Sequence, residues 1–338
     1  MAYSPPFQLT HTMMRLVAEI SEYIGQWSAT NQGALVPQLR KENRIRTIQA
    51  SLAVEQNTLT LEQVTAVIAG KTVLGEPKEI QEVHNAFAAY EAMPNWQPSR
   101  ADDLLSAHHI LMQGLVLDAG QWRSGGAGIY RCEQLVHMAP PANQVPRLMA
   151  QLLAWLNSSD AHPLIASCAF HYELEFIHPF SDGNGRMGRL WQTLILSHWQ
   201  PLLAYLPVET VIKDQQQAYY QAFRQADLSS DCSGFIEFLL DALATALKEA
   251  IVIEQKTRVL IQTGTRVETR VQTRVEKPLT TPEQILALLS AQPELTLAEV
   301  AAHLGRAVST IERAVAKLKQ QQRLTYHGPK KGGHWQVH

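Results

Sequence analysis

The segment His178-Pro-Phe-Ser-Asp-Gly-Asn-Gly-Arg-Met-Gly-Arg189 lies between two apolar stretches, one ending near Phe176 and one covering 190–199. Both flanks have helical spacing, so the segment reads as a helix–loop–helix junction inside a mainly helical chain. Gly183 and Gly185 let backbone N–H groups approach an anion closely. The helix that opens behind them adds free N–H groups and the positive end of its dipole. Arg186 and Arg189 are planar forks that match phosphate oxygens. Asp182 is a hard oxygen ligand, the kind that holds Mg²⁺ against phosphates. His178 can accept a proton near neutral pH. Taken singly, a Gly-Asn-Gly is usually a turn, a His before Pro is usually structural, and arginines three apart usually form a solvated helix face. Their coincidence in one short segment points to a phosphate cradle, a metal arm and a general base working together.

Working outward, apolar spacing predicts helices over 12–27, 41–56, 78–93, 101–118, 144–157 and 160–176, then 184–198 and 215–250. Thr60 with Gln63 forms a capping box that opens one more. Residues 120–141 break the pattern: Gly120, Gly125, Gly126 and Gly128 surround short β-like runs at 129–132 and 134–138. These read as a small hairpin closed by Pro140-Pro141. Residues 255–280 carry Thr-Arg-Val starting at 257, 265, 269 and 273, with no core face, and read as a linker. Beyond it, helices at 282–291, 296–303 and 307–322 precede Arg323-Leu-Thr-Tyr and Gly332-Gly-His-Trp-Gln-Val, the pattern of a winged helix-turn-helix. The expected organisation is an N-terminal helical region (1–100), a catalytic core (101–250), a linker (251–280) and a winged helix (281–338).

Composition is that of a soluble globular protein, with 46% hydrophobic and 18% charged residues. A net charge of −2 gives no global pull toward nucleic acid or membranes, and no apolar run is long enough to span a bilayer. The start lacks the basic-then-apolar pattern of a signal peptide. Cys132, Cys168 and Cys232 are sparse, odd in number and without zinc spacing, which suits a reducing compartment; the expected location is cytoplasmic.

The quoted segment resembles the signature of the Fic family, His-x-Phe-x-Asp/Glu-Gly-Asn-Gly-Arg-x-x-Arg, at every defining position. With its flanks the resemblance covers roughly residues 40–245. It implies transfer of AMP from ATP to a protein Ser, Thr or Tyr hydroxyl. His178 would then deprotonate the hydroxyl, and Asp182 would hold Mg²⁺ or Mn²⁺. Asn184, Arg186 and the amides of Gly183 and Gly185 would hold the α- and β-phosphates, Arg189 the γ-phosphate, and Phe180 would anchor the loop. A phosphate-transferring toxin branch of the family has Ala and Lys where this chain has the two glycines, which here favour a bound triphosphate and nucleotidyl transfer.

Ser51-Leu-Ala-Val-Glu55-Gln-Asn57 resembles the family's inhibitory motif, Ser/Thr-x-x-x-Glu-Gly/Asn. By that resemblance Glu55 pairs with Arg189 and keeps the γ-phosphate from its place, although Gln56 stands where Gly or Asn is usual. The hairpin residues Leu135, Val136, His137 and Met138 resemble the family's flap, on whose edge an extended target could add a strand, with His137 a surface residue. Tyr219, Tyr220 and Asp227 lie where similar proteins line the nucleobase pocket. Arg306, Ser309, Thr310, Arg313 and Lys317, with Lys330 and Lys331, suit phosphate contacts along a duplex; a protein-docking or dimerising winged helix is the alternative. The expected partners are therefore a target protein, the chain itself through automodification, and DNA through 281–338, with a homodimer left open and no membrane. Two rival activities share the same residues: removal of AMP with Glu55 orienting a water, and nucleotide sensing by a DNA-binding regulator.

Overall fold

The computed structural model describes residues 3–31, 37–131, 134–262, 281–291, 293–303, 308–321, 323–328 and 334–337. The chain divides into two compact units, Met1–Thr263 and Gly264–His338.

In the first unit the described helices are α1 (His11–Asn31), α2 (Pro37–Val54), α3 (Leu61–Ile68), α4 (Pro77–Ala92), α5 (Ala101–Met112), α6 (Val145–Ser158), α7 (Pro163–Ile177), α8 (Asn184–Trp199), α9 (Val208–Asp214), α10 (Gln216–Ser229) and α11 (Ser233–Gln262). A hairpin of β1 (Gly128–Arg131) and β2 (Gln134–Met138) sits between α5 and α6, antiparallel, with a bulge between Ile129 and Tyr130. Helix α7 explains the layout. It is buried almost all round, a pattern expected of a central helix. Leu164, Cys168 and Tyr172 face one core, shared with Met13, Ile20 and Trp27 of α1 and Leu239 and Leu243 of α11. Phe170, Leu174 and Ile177 face a second core, built with Ile48 and Leu52 of α2, Val83 of α4 and Leu190 and Leu194 of α8. The division expected at residue 100 is therefore not a physical boundary: the apolar stripe of α1 is buried against α11, so the N-terminal helices complete the catalytic core.

Other boundaries move for local reasons. Helix α5 stops at Met112 rather than continuing to 118, because Gly114 takes a left-handed φ of 74°. The single helix expected over 215–250 is broken at Ser230, which is left-handed (φ 53°), and the Asp231 carboxylate then accepts from the Ser233 N–H to open α11. A short helix, α9, adds about two turns between Pro207 and Gln215, too short for its apolar Val208, Val211 and Ile212 to set a clear period. Helix α11 runs to Gln262, through the start of the expected linker; the remainder, 263–280, lies outside the described residues.

The second unit has α12 (Thr281–Ala291), α13 (Leu297–His303), α14 (Val308–Gln320) and an antiparallel pair, β3 (Leu324–His327) and β4 (His334–Val337). Ile285, Leu289, Val300, Ile311, Val315, Leu318 and Leu324 form its core. Trp335 closes it, donating its indole N–H to the Leu295 carbonyl at 3.0 Å. Among the described residues, no helix is long and apolar enough to cross a membrane.

Candidate active site

The loop between α7 and α8 is shaped from below by Phe180. Its ring is fully buried, stacked on His108 of α5 at 3.7 Å between centroids and tilted against Trp122. The Asn184 side chain closes the loop: Oδ1 accepts from the Phe180 N–H and Nδ2 donates to the Phe180 carbonyl, both at 3.0 Å. One N–H of the Asn184 amide is thus spent on the loop, while the residue still lines the cavity. Gly183 takes a φ of 85°, and a Cβ there would lie 2.6 Å from the Met112 sulfur, so the tight turn onto α8 requires glycine. The first N–H groups of α8 have no partner within the helix, and Gly183, Asn184 and Gly185 line the cavity.

His178 ends α7 in a left-handed conformation (φ 51°), its N–H bonded to the Leu174 carbonyl. Nδ1 lies 3.3 Å from the Glu175 carbonyl, which assigns the proton to Nδ1 and leaves the Nε2 lone pair open. Burial lowers its pKa to about 4, so the imidazole is neutral and base-competent at physiological pH. Arg123, which the sequence reading did not single out, holds this turn. It donates through Nε to the His178 carbonyl at 2.6 Å, and through its Nη atoms to Gly125, Pro140 and Ile177 carbonyls. One guanidinium therefore fastens the base to both ends of the hairpin. The available signal was an arginine close behind Gly120 inside the glycine-rich break.

The two signature arginines differ. Arg189 is 1% exposed and lines the cavity. Its Nε donates to Ser51 Oγ and Nη2 to the Ser51 carbonyl, both at 3.0 Å, and Nη2 also meets Glu55 Oε1 at 2.6 Å. Burial opposes the charge of Arg189, but the adjacent carboxylate more than offsets this and raises its pKa above the usual value. Arg186 does not line the cavity. It reaches Glu82 Oε1 of α4 at 3.2 Å and Asp182 Oδ1 at 3.1 Å, with Nε unbonded. In this arrangement Arg186 orients Asp182 from outside the cavity lining. Glu82 also accepts from Asn57 Nδ2 at 2.8 Å, so the end of the Ser51–Asn57 motif is tied to this arginine. The departure at Gln56 is accommodated here: Gln56 is left-handed (φ 70°) and the Asn57 N–H returns to the Leu52 carbonyl, a Schellman closure that usually employs Gly.

The cavity measures about 460 Å³ and is lined by Glu55, Glu175, His178, Asp182, Gly183, Asn184, Gly185, Arg189, Tyr219, Tyr220 and Phe223, among others. A Cβ built on Gly185 would lie 2.5 Å from Glu55 Oε1 and 3.2 Å from both Arg189 Nη1 and Glu175 Oε1. Glu55 therefore sits where the opening turn of α8 would receive an anion. Tyr219 and Tyr220 line the cavity, and Asp227 does not. Its Oδ1 meets Nδ1 of His137 at 3.0 Å, and His137 Nε2 contacts the Phe176 carbonyl at 2.8 Å. His137, expected at the surface, is buried because it anchors the hairpin to α10 and α7; Met138 beside it is exposed. Leu135 and Val136 lie on β2 in register with Tyr130 and the bulge.

These features bring a histidine, a carboxylate and a buried arginine together at the opening of a helix. A model of the Fic/DOC family matches residues 98–196. Across 99% of this chain and 98% of the other, the fold and sequence match a solved Fic family protein from Desulfovibrio desulfuricans G20, with 49% identity and a TM-score of 0.72. The chain belongs to the Fic/DOC family. Among curated relatives it is 27% identical over 245 residues to the protein adenylyltransferase Fic of Drosophila erecta, covering 68% of this chain and 47% of that one. It is 29% identical over 211 residues to the protein of the same name in Nematostella vectensis, covering 59% and 47%. The chain thus spans about half the length of the curated relatives it matches. Fic-1 from C. elegans (aa134–508), at 21% identity and a TM-score of 0.58 over 73% of this chain and 72% of that one, shares the fold.

Proposed function

We propose that the chain is a protein adenylyltransferase that moves AMP from ATP to a Ser, Thr or Tyr hydroxyl of a target protein, itself included, under restraint by Glu55. The observation that carries this reading is the convergence of a neutral His178, the free amides of the α8 opening and the buried Arg189 on one cavity. Phosphoryl centres need positioning and charge neutralisation more than covalent help, and these groups supply both. His178 Nε2 takes the proton of the incoming hydroxyl. The hydroxyl oxygen bonds to the α-phosphorus, the bond from that phosphorus to the pyrophosphate oxygen breaks, and pyrophosphate leaves. The curated relatives named protein adenylyltransferase support this choice of reaction.

Asp182 suits a divalent ion. Its carboxylate is half exposed and faces the cavity, with Oδ1 fixed by the Gly183 N–H at 2.6 Å and by Arg186. Among the described residues no cluster of three or more metal-ligating side chains exists. One carboxylate suits Mg²⁺ or Mn²⁺ that arrives with the triphosphate, the phosphates and waters completing its shell. The ion would neutralise charge on the phosphates.

Glu55 Oε1 beside Gly185 also favours a second reading, AMP removal with Glu55 orienting a water. Labelled ATP incubated with lysate, set against AMP release from a modified target, separates the two. ATP binding without turnover in either direction would instead support a nucleotide-sensing regulator and refute the transferase reading. We further propose that residues 281–338 are a winged helix that contacts DNA, with α14 as the recognition helix. Arg313 and Lys317 are exposed along it, and Thr310 is half-buried near its start. Arg306, Lys330 and Lys331 lie outside the described residues, as does the side chain of Ser309.

A further inference from the structure

Arg44 of α2 is 7% exposed, yet among the described residues its guanidinium makes no hydrogen bond or salt bridge, and Nη1 is buried without a partner. Two aromatic rings hold it in place. Its Cζ lies over Tyr90, 4.7 Å from the ring centroid, and over Tyr205 at 5.1 Å. Arg40, one turn earlier on α2, lies over the same Tyr205 ring at 5.6 Å. Ring contacts engage the face of a guanidinium and leave its in-plane N–H edge unused. An arginine keeps its proton in a protein, so a buried one without an anion beside it is an uncompensated charge. Glu209 acts on Arg44 through space only. Its Oε1 accepts from the Tyr90 hydroxyl at 3.1 Å, and burial raises its pKa to about 7.

Both arginines line a cavity of about 410 Å³. It is bounded by α2, by Met93 and Pro94 after α4, by the last turn of α8 and by the 3-10 turn Pro201–Tyr205. Cavities of this size hold small organic ligands. Met93, Pro94, Pro201, Leu202 and Ala204 give it an apolar wall, and among the described residues no carboxylate lines it. Ser197 donates to the Leu194 carbonyl at 2.8 Å and His198 Nε2 to the Trp96 carbonyl at 3.0 Å, so neither answers Arg44. The C-terminal end of α8 contributes about half a negative charge here, which two guanidiniums outweigh. The cavity shares no described lining residue with the one that holds His178 and Arg189.

We propose that this cavity is a second binding site, for a small molecule that carries a carboxylate or phosphate-monoester head on an apolar body. The head meets the N–H edge of Arg44, with Arg40 beside it, because both anions match the fork of a guanidinium. The body lies against Met93, Pro94 and Leu202, which an inorganic anion would leave wet. Occupation of this site does not depend on the nucleotide reading above.

Calorimetry on the full chain at neutral pH uses hexanoate and hexyl phosphate as probes. Hexanamide and inorganic phosphate are the controls that lack the charge and the apolar body. At least one of the two anions should bind saturably at one site, about tenfold or more tighter than either control, and the tighter of the two identifies the head group. Arg44→Met keeps an apolar stem between the two rings and removes the charge. It should weaken the probe about tenfold or more, while the urea midpoint of the ligand-free chain holds or rises because an uncompensated buried charge is gone. Where Arg44→Met does not fold, Arg40→Gln decides: weaker probe binding supports the site and unchanged binding overturns it. Arg189→Ala should bind the probe as the unsubstituted chain does. Loss of binding there, with retention in Arg44→Met, assigns the probe to the phosphate cradle and overturns the second site. Saturable binding of neither anion to the unsubstituted chain also overturns it, and leaves an internal water as the partner of Arg44.

Discussion

Replacing Glu55 with Gly should raise AMP transfer by about a hundredfold, a figure set by how far Glu55 displaces the triphosphate. Arg189 is fully buried, and it meets Glu55 Oε1 at 2.6 Å while Ser51 occupies Nε and the other face of Nη2. A phosphate cannot take the same Nη2 position while Glu55 holds it. The triphosphate must then shift by on the order of an ångström, and a misplacement of that size costs about 10²-fold in rate. The stability cost follows from the same contacts. Glu55 is 31% exposed and Arg189 1%. An exposed pair contributes about 0–1 kcal/mol, whereas stripping a partner from a buried charge costs about 3–5 kcal/mol. Ser51 keeps two hydrogen bonds on the guanidinium, so the expected loss is about 1–2 kcal/mol. That exceeds the near-zero cost expected of a surface pair. Initial rates at saturating labelled ATP, with automodification read on a gel and stability by urea titration, measure both quantities. Glu55→Gln should fall between wild type and Glu55→Gly, and Arg189→Ala should not activate, because it removes the phosphate ligand with the clamp. If Glu55→Gly is no faster than wild type on any acceptor, the competition argument is wrong. If it is slower while wild type releases AMP, Glu55 serves the reverse reaction.

His178→Ala should abolish transfer while ATP affinity, measured by calorimetry, changes less than about threefold, since the phosphate grip lies in other groups; wild-type turnover would exclude it as the base. Because His178 is neutral above about pH 4, transfer should show no acid limb from this group between pH 5.5 and 8, and an acid limb in that range in Glu55→Gly would contradict that. Asp182→Ala should lower the rate at least tenfold and flatten its dependence on Mg²⁺ concentration, and full wild-type activity in excess chelator would sink the metal role. Glu209, whose pKa burial raises to about 7 and whose Oε2 has no hydrogen bond, should destabilise the fold progressively as pH rises from 4.5 through 7. Glu209→Gln should therefore gain up to about 3 kcal/mol at pH 8 and nothing at pH 4, read by urea titration at both pH values. If residues 281–338 bind DNA, affinity for a duplex should fall steeply with salt and Arg313→Ala should shallow that slope by about one; no binding at low salt would favour a docking role.

The helices and the chemistry of the loop were legible in the sequence because both are local. Apolar spacing along α7 and α8, and the run from His178 to Arg189, place the base, the amides, Asp182 and Arg189 within a few turns of one another, so no long-range information was needed. The pairing of Glu55 with Arg189, 134 positions away, was reached only through a resemblance, since nothing in either segment says that α2 packs across α8. The tertiary structure alone decided the rest. It turned Arg186 toward Glu82 and Asp182, gave Asp227 to His137, tied Asn184 to the loop, and recruited Arg123 from the hairpin. It also turned Glu175, an unremarkable glutamate in the sequence, into a buried carboxyl with its pKa raised to about 7. The physical reason is the same in each case. A polar side chain's role depends on which partners share its low-dielectric surroundings, and those partners are chosen by how distant helices pack rather than by their neighbours along the chain.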